Sequence, residues 1–214
     1  MATRRLCVVG VWVGVLSAFL SPAFAQVAGG RGGAPAVLID KLSITEIRTP
    51  DFNTKSHPSV KNTETWLQLL VDFKVEAAEE KWLDELTFDW YVLLMNGETP
   101  RLLLSRSVAY ADIEVGETER AVVYVHPRTL RRYYSERGRS VSDRNVLVYL
   151  DVKMRNVKVG EFVFPKAAVA GVPPRWWENP NVNRVENGLL GREQTPFAPL
   201  DGDFYPPLKD TGRR

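Results

Sequence analysis

The sequence predicts an all-β protein, an immunoglobulin-like antiparallel β-sandwich with one short crossing helix and an extended C-terminal tail rich in proline and aromatic residues. Two observations carry this prediction. Apolar and polar residues alternate clearly in three long runs, and turn residues divide the chain into about seven strand-like segments in all. Alternation with a period of two places one face of a strand in a core and the other in solvent, as in antiparallel sheets. Seven strands are the number expected of an immunoglobulin-like sandwich.

The alternation is clearest in residues 66–76, 86–95 and 146–154. The apolar positions in phase on these runs are predicted to form the core, and they include Leu69, Val71, Phe73, Phe88, Trp90, Val148, Leu150 and Val152. Weaker strands are predicted over 37–48, 102–112, 118–125 and 157–164. Asn96-Gly97 predicts a hairpin between the third and fourth strands, because this dipeptide favours the positive φ angles of a tight turn.

One segment, residues 126–138, breaks the β pattern. Pro127 stands where the first turn of a helix tolerates proline, and Gly138 stands where a helix commonly ends. The sequence therefore predicts a short helix that crosses between strands.

The first 25 residues have the pattern of a secretory signal peptide. A basic pair at residues 4–5 precedes an apolar run over 6–20, and residues 23–25, Ala-Phe-Ala, form a small-x-small cleavage site. The apolar run is shorter than the roughly 20 residues of a membrane span. We therefore expect an exported protein of the periplasm or cell surface, with no membrane span after signal cleavage. Residues 26–36, rich in Gly and Ala, are expected to be a flexible linker.

The cysteine content and the net charge narrow the class of protein further. The single cysteine, Cys7, lies within the predicted signal, so the remaining chain has no thiol for a disulfide or a metal. An exported domain without disulfides favours a bacterial source. Removing the signal removes two of the 28 Lys and Arg residues and none of the 26 acidic residues, which leaves 26 of each. A formally neutral chain lacks the basic balance typical of nucleic-acid binding, so nucleic acid is not an expected partner.

No set of residues points to catalysis or to a cofactor. The two histidines, His57 and His126, each precede a proline, and nothing in the sequence pairs either with a nucleophile. There is no His-x-His and no calcium-loop spacing of acids, so no metal site is predicted. The acids near the second turn are predicted to form a solvated face rather than two opposed glycosidase carboxylates: Glu79, Glu80, Asp84, Glu85 and Asp89. The chain is therefore predicted not to be an enzyme and to need no cofactor.

An arginine cluster is the first candidate binding surface. Arg128, Arg131 and Arg132 share one face of the predicted helix, because residues three or four apart are neighbours on a helix. Their guanidinium groups could bind a sulfate, a phosphate or an acidic sugar. The alternative is a solvated helix whose arginines pair with nearby acids, namely Glu117, Glu119 or Glu136.

The tail, residues 171–214, is the second candidate, and it follows a sandwich domain predicted over 37–170. Aromatic residues stand among its prolines: Trp176, Trp177, Phe197, Phe204 and Tyr205. Because exposed apolar tails aggregate and sandwich edges need cover, we expect the tail to dock as a strap on its own domain or on a partner. The prolines are expected to prevent the tail from extending a sheet by regular strand pairing. A carbohydrate-binding module that uses Trp176, Trp177 and the tyrosines near the arginine helix is the alternative.

These features together resemble a known family. The signal peptide, the cysteine-free sandwich, the crossing segment HPRTLRRYY and the tail RVENGLLGREQTPFAPLDGDFYPPLK look like the exported pilus-like proteins with an immunoglobulin-type fold that accompany type IV pilus genes in Verrucomicrobia. The resemblance implies protein–protein contact in a pilus-associated or cell-surface assembly. A pilin keeps a long apolar N-terminal helix, whereas this chain has an ordinary signal and a glycine-rich linker, so an accessory role is expected rather than a fibre subunit. The expected partner is therefore another protein or a second copy of the chain, with a glycan as the alternative.

Overall fold

The computed structural model describes residues 35–50, 64–77, 79–96, 99–134, 141, 143–185, 188–200 and 202–209. All of them belong to the unit Gly32–Arg214. The predicted signal peptide, most of the predicted linker and His57 lie outside the described residues. Within those residues, no helix is both long and apolar enough to cross a membrane.

Seven strands form the body of the protein, and all seven were predicted. They are β1 (Ala36–Arg48), β2 (Thr65–Glu76), β3 (Trp82–Asn96), β4 (Thr99–Glu114), β5 (Thr118–Val125), β6 (Val146–Met154) and β7 (Val157–Phe164). Asn96 pairs with Thr99, so β3 and β4 form the predicted hairpin.

The strands form two sheets, with the orders β1-β2-β5-β9 and β7-β6-β3-β4-β8. Two short strands from the tail, β8 (Arg184–Val185) and β9 (Leu189–Gly191), complete them. The series β1-β2-β5 and β7-β6-β3 correspond to strands A-B-E and G-F-C of an immunoglobulin domain. In that scheme β9 takes the place of strand D, and β4 and β8 extend the second sheet as C′ and C″ do. The predicted sandwich class is therefore confirmed.

The core lies between the two sheets. All eight residues predicted for it are fully buried. Phe73 of β2 and Phe88 of β3 meet across the core with ring centroids 4.8 Å apart. Trp90 lies on the strand that corresponds to C, where immunoglobulin domains carry a buried tryptophan.

The predicted helix is present and is short. The α-helix Pro127–Thr129 (α1) continues into a π-helical turn, Leu130–Tyr134. His126 caps its start, because the His126 Nδ1 atom accepts a hydrogen bond of 3.0 Å from the Arg128 N–H. Short 3-10 turns lie at Asp143–Asn145, Trp176–Glu178, Arg192–Gln194 and Gly202–Phe204.

The tail differs from the prediction in one respect, because it does pair with the sheets. The strand β8 pairs with β4 in parallel at Leu103 and Leu104, and β9 pairs with β5 in antiparallel fashion. Both strands fall in residues 181–195, which contain no proline and so keep every backbone N–H. Prolines at positions 180 and 196 flank this window.

Candidate interaction site

We call residues 188–200 and 202–209 the strap. The strap begins as β9, which pairs Leu189–Gly191 with Val123–Val125 of β5. It ends at the other sheet, where Leu208 pairs with Tyr110 of β4. The strap therefore crosses from one sheet to the other along the same side of the sandwich.

A glycine fixes how closely the strap approaches the domain. A Cβ atom added to Gly188 would lie 2.7 Å from Leu104 Cδ2 and 3.3 Å from Thr129 Cγ2 and from Val185 Cγ1. These distances are shorter than ordinary van der Waals contacts, and Leu104 is fully buried. The start of the strap therefore packs tightly between β4, α1 and β8.

Phe197 anchors the strap on the outer face of the first sheet. Its side chain is 8% exposed and belongs to an apolar cluster with Trp66, Val122 and Tyr124. The Phe197 ring stacks on Tyr124 at a centroid distance of 5.0 Å and meets the edge of Trp66 at 5.7 Å. Burial raises the pKa of the Tyr124 hydroxyl to about 12.

The two remaining candidate aromatics of the strap are less buried. Phe204 is 57% exposed, and the Arg120 guanidinium lies 5.6 Å from its ring centroid. Tyr205 is half-buried beneath the guanidinium of Arg192, at 4.8 Å. The same guanidinium donates to the backbone oxygen of Leu200 at 3.1 Å. Arg192 therefore links two parts of the strap by an internal hydrogen bond.

The tryptophan pair lies on the other sheet. Trp176 is buried, and Trp177 is half-buried with its ring stacked on Tyr149 at 3.9 Å. Arg184 holds the segment in place, because its Nη2 atom donates to the Trp177 backbone oxygen at 2.9 Å. One face of the Trp177 ring is therefore occupied by the protein itself.

The three candidate arginines are exposed and contact three different groups. Arg131 pairs with Glu64 at 2.8 Å, and the Arg132 guanidinium lies 4.9 Å from the Tyr133 ring centroid. The Arg128 backbone contacts the His126 cap. The expected pairing with Glu117 or Glu119 is not formed, because these acids stand at the beginning of β5 and the helix follows its end. Glu136 lies outside the described residues.

Tyr110 joins the two sheets beside the strap. Its hydroxyl accepts a hydrogen bond of 3.0 Å from the Val122 N–H of β5, at the point where pairing with β9 has ended. The Tyr110 side chain is fully buried, and this burial raises its pKa. The tyrosine thus satisfies a backbone group that β9 leaves unpaired.

The outer face of the second sheet carries a network of charges. The Lys153 ammonium lies 2.6 Å from Asp89 Oδ2 and 3.2 Å from Asp151 Oδ2. The hydrogen bond to Asp89 raises the pKa of Lys153 to about 12. Lys158 bonds to Glu161, and this bond raises its pKa as well. Two lysines are thus shared among three acids, Asp89, Asp151 and Glu161. No group of three His, Cys, Asp or Glu residues among the described side chains could hold a metal.

Three large apolar side chains are exposed at one end of the sandwich. They are Leu38 (46% exposed), Trp82 (56%) and Val157 (62%). Leu38 pairs near the end of β2, and Trp82 and Val157 begin β3 and β7, which run parallel to each other. We call these three residues the apolar end. The sequence analysis did not predict this surface. The alternating run from which the third strand was predicted begins at Leu86, whereas β3 begins earlier, at Trp82.

Comparison with known proteins supports the fold and places the chain in a family. A protein-family model matches residues 31–211, which is most of the chain, so the chain belongs to that family. It is also similar to a crystal structure of a protein from Akkermansia muciniphila, with a TM-score of 0.67 and 26% sequence identity over 84% of this chain and 95% of that one. Akkermansia is one of the Verrucomicrobia, the bacteria named by the resemblance above. A search of curated proteins finds no match.

Proposed function

We propose that the protein is a non-enzymatic exported protein that acts by protein–protein contact in a pilus-associated or cell-surface assembly. The observation that carries the proposal is the apolar end. A tryptophan and two aliphatic side chains are about half exposed at this end of the sandwich, and exposed apolar patches commonly mark contact surfaces. Aromatic residues are also enriched in the centres of protein interfaces.

The strap supports the same proposal. It packs Phe197 on the outer face of the first sheet, supplies the edge strand β9 to that sheet and contacts the second sheet at Leu208. The edge of β5 that β9 covers is thereby protected from unspecific strand pairing, which suits a protein that works among others at high local concentration. The structural similarity to a protein from Akkermansia, one of the Verrucomicrobia, is compatible with the pilus-like resemblance.

Site-specific photo-crosslinking tests the proposal. A photoreactive amino acid at Trp82 should give a discrete protein adduct in the host envelope, and the same amino acid at exposed Lys166 serves as the control. Substituting Leu38→Ser and Val157→Ser together should abolish the Trp82 adduct, because the partner loses its apolar contact. A chain that gives no adduct from Leu38, Trp82 or Val157 would count against a protein partner at this end.

Carbohydrate binding is the second candidate function. Trp177 and Tyr91 are half-buried and both pack against Tyr149, whose ring lies 5.8 Å from the Lys158 ammonium. Asp89 lines the same cavity as Tyr91. Titration with neutral and acidic oligosaccharides tests this function through tryptophan fluorescence. A saturable change that disappears in Trp177→Ala would favour the glycan; no change with any sugar would leave protein contact as the remaining candidate.

A further inference from the structure

The outer edge of β4 contains a gap that no described residue of the tail pairs with. β8 pairs with Leu103 and Leu104, and the strap returns to the same edge at Tyr110. Residues 105–108 pair with β3 on one side; on the other edge of β4, between these contacts, no strand in the described part of the chain pairs with them. The gap, from Ser105 to Ala109, is about 14 Å long at the rise of an antiparallel strand.

The backbone groups in the gap point outward. Three hydrogen bonds fix the phase of this edge: Leu103 N–H to Asn183 O (2.8 Å), Lys209 N–H to Ala109 O (2.9 Å) and Ala111 N–H to Pro207 O (2.7 Å). Alternate residues of a strand present their N–H and C=O groups to the same edge. Ser107, which lies in that phase, therefore presents both its N–H and its C=O to the gap.

Two cavities flank the gap, one on each side of the sheet. The first has a volume of about 430 Å³ and lies at the outward-facing side chains of Asp89, Tyr91, Ser105 and Ser107. The second has a volume of about 270 Å³ and lies between β4 and the strap, where Arg106, Val108, Glu193 and Leu208 line it. Successive side chains of a strand point to opposite faces of a sheet. A strand added at the gap would therefore place its side chains alternately in the two cavities.

Arg106 gives the second cavity a chemical preference. Its Nη2 atom donates to Glu193 Oε1 at 2.9 Å. Its Nε atom is buried and has no hydrogen-bond partner among the described residues. A buried donor without an acceptor is unfavourable, so an oxygen brought into this cavity gains more than one at an open surface. An acceptor oxygen fits best, because a carboxylate can accept from the Nε atom while it shares the Arg106 guanidinium with Glu193. It also lies near Lys209, whose ammonium bonds to Glu85.

We propose that the gap binds an extended segment of a partner protein, which adds a strand of about four residues to β4. The backbone of the segment pairs with Ser107, and a carboxylate side chain of the segment faces Arg106. The occupant is a polypeptide because the gap presents paired backbone donors and acceptors, which an extended peptide complements and a sugar or a lipid does not. This inference rests on the proposed function, since it names a second place where a protein partner is held.

A short model peptide tests the inference on the whole protein. The probe is acetyl-Thr-Thr-Glu-Thr-Thr-amide, and the readout is the amide resonances of Ser105, Ser107 and Ala109 in the labelled protein. We expect saturable shifts confined to this edge, with a dissociation constant on the order of 1 mM, because the strand is short. The Ser107 amide should also exchange more slowly with the peptide bound.

Two altered peptides are the matched controls. The peptide N-methylated at Glu and at the following Thr cannot pair with the edge, and it should bind at least about tenfold more weakly. The peptide with Lys in place of Glu should also bind more weakly, because it brings a cation to Arg106. Equal binding of the N-methylated peptide would overturn strand addition, and equal binding of the Lys peptide would overturn the role of Arg106.

Variants of the protein separate the backbone from the side chain. Ser107→Pro removes the outward N–H and is tolerated by an edge strand, so the domain should stay folded and lose the peptide. Ser107→Ala keeps the N–H and should bind the peptide at least about tenfold more tightly than Ser107→Pro does. If Ser107→Pro unfolds, the altered peptides still decide the question on the unchanged protein.

The outcome is independent of the crosslinking at Trp82. If the model peptide gives no shift at the gap up to about 10 mM, the inference is wrong, even where Trp82 still captures a partner. If the peptide binds and the apolar end captures nothing, the gap is supported and the proposed contact at the apolar end is wrong.

Discussion

Phe197 is the residue through which the strap can be tested most directly. Truncating it to alanine removes a ring that is 8% exposed and that contacts Tyr124 and Trp66. Burial of a phenylalanine side chain is worth about 1.5–3 kcal/mol, and aromatic contacts add about 0.5–1.5 kcal/mol. We therefore expect Phe197→Ala to lower the free energy of unfolding by about 3 kcal/mol, at the lower end of the range for core phenylalanines. The value is at the lower end because the strap can close partly over the hole.

The assay is urea unfolding followed by far-UV circular dichroism, with native-state hydrogen exchange of the β9 amides. Phe204→Ala is the matched control, because the same side chain on the same strap is 57% exposed. Its contact with Arg120 is worth about 0.5–1 kcal/mol at an exposed site. If the strap opens before the domain unfolds, exchange at β9 will report the full loss and urea a smaller one. Equal effects of the two substitutions, in both assays, would refute the account of the strap as a docked segment.

Three further predictions address the core, the strap and the helix cap. Trp90→Ala should cost about 3–5 kcal/mol in urea unfolding, because the side chain is fully buried; a change of a few tenths would mean that the core is misassigned. Gly188→Ala should speed hydrogen exchange in β9, because the new Cβ would lie 2.7 Å from a buried leucine, whereas Gly202→Ala meets nothing within 4 Å and should leave exchange unchanged. Burial, and then the neighbouring Arg128, lower the pKa of His126. The stability that its neutral form contributes is therefore present above the ordinary histidine pKa and is lost as the pH falls below it, so the urea midpoint should drop as the pH falls below about 6.5. His126→Asn keeps a capping oxygen and should remove that dependence; an unchanged profile would show that the cap does not titrate.

The strands and the core follow from local pattern. A period of two over residues such as Leu69, Val71 and Phe73 places their side chains on one face, and that relation depends only on backbone geometry. The helix start at Pro127 and the β3–β4 hairpin likewise depend on a few neighbouring residues. These features needed no knowledge of what each strand packs against.

The tail was only partly predictable, because its residues have no period. Its composition indicated a docking strap, and Phe197 does dock. Its strands β8 and β9 are two and three residues long, too short to give an alternating pattern. They form because the open edges of β4 and β5 supply partners for a proline-free stretch of chain. The pairing partners lie about 65–80 residues earlier in the sequence, and only the folded sandwich brings them within reach.

The sequence by itself determined the sandwich, its seven strands, its core and the apolar character of the tail, since each depends on residues close together in the chain. The tertiary structure decided which strands lie at the edges, which aromatic side chains are covered and where an edge stays open. The apolar end at Leu38, Trp82 and Val157 and the gap at Ser107 are of the second kind. Exposure and unpaired hydrogen-bonding groups depend on how distant segments of the chain pack together. The residue type alone does not show whether a tryptophan is buried or exposed.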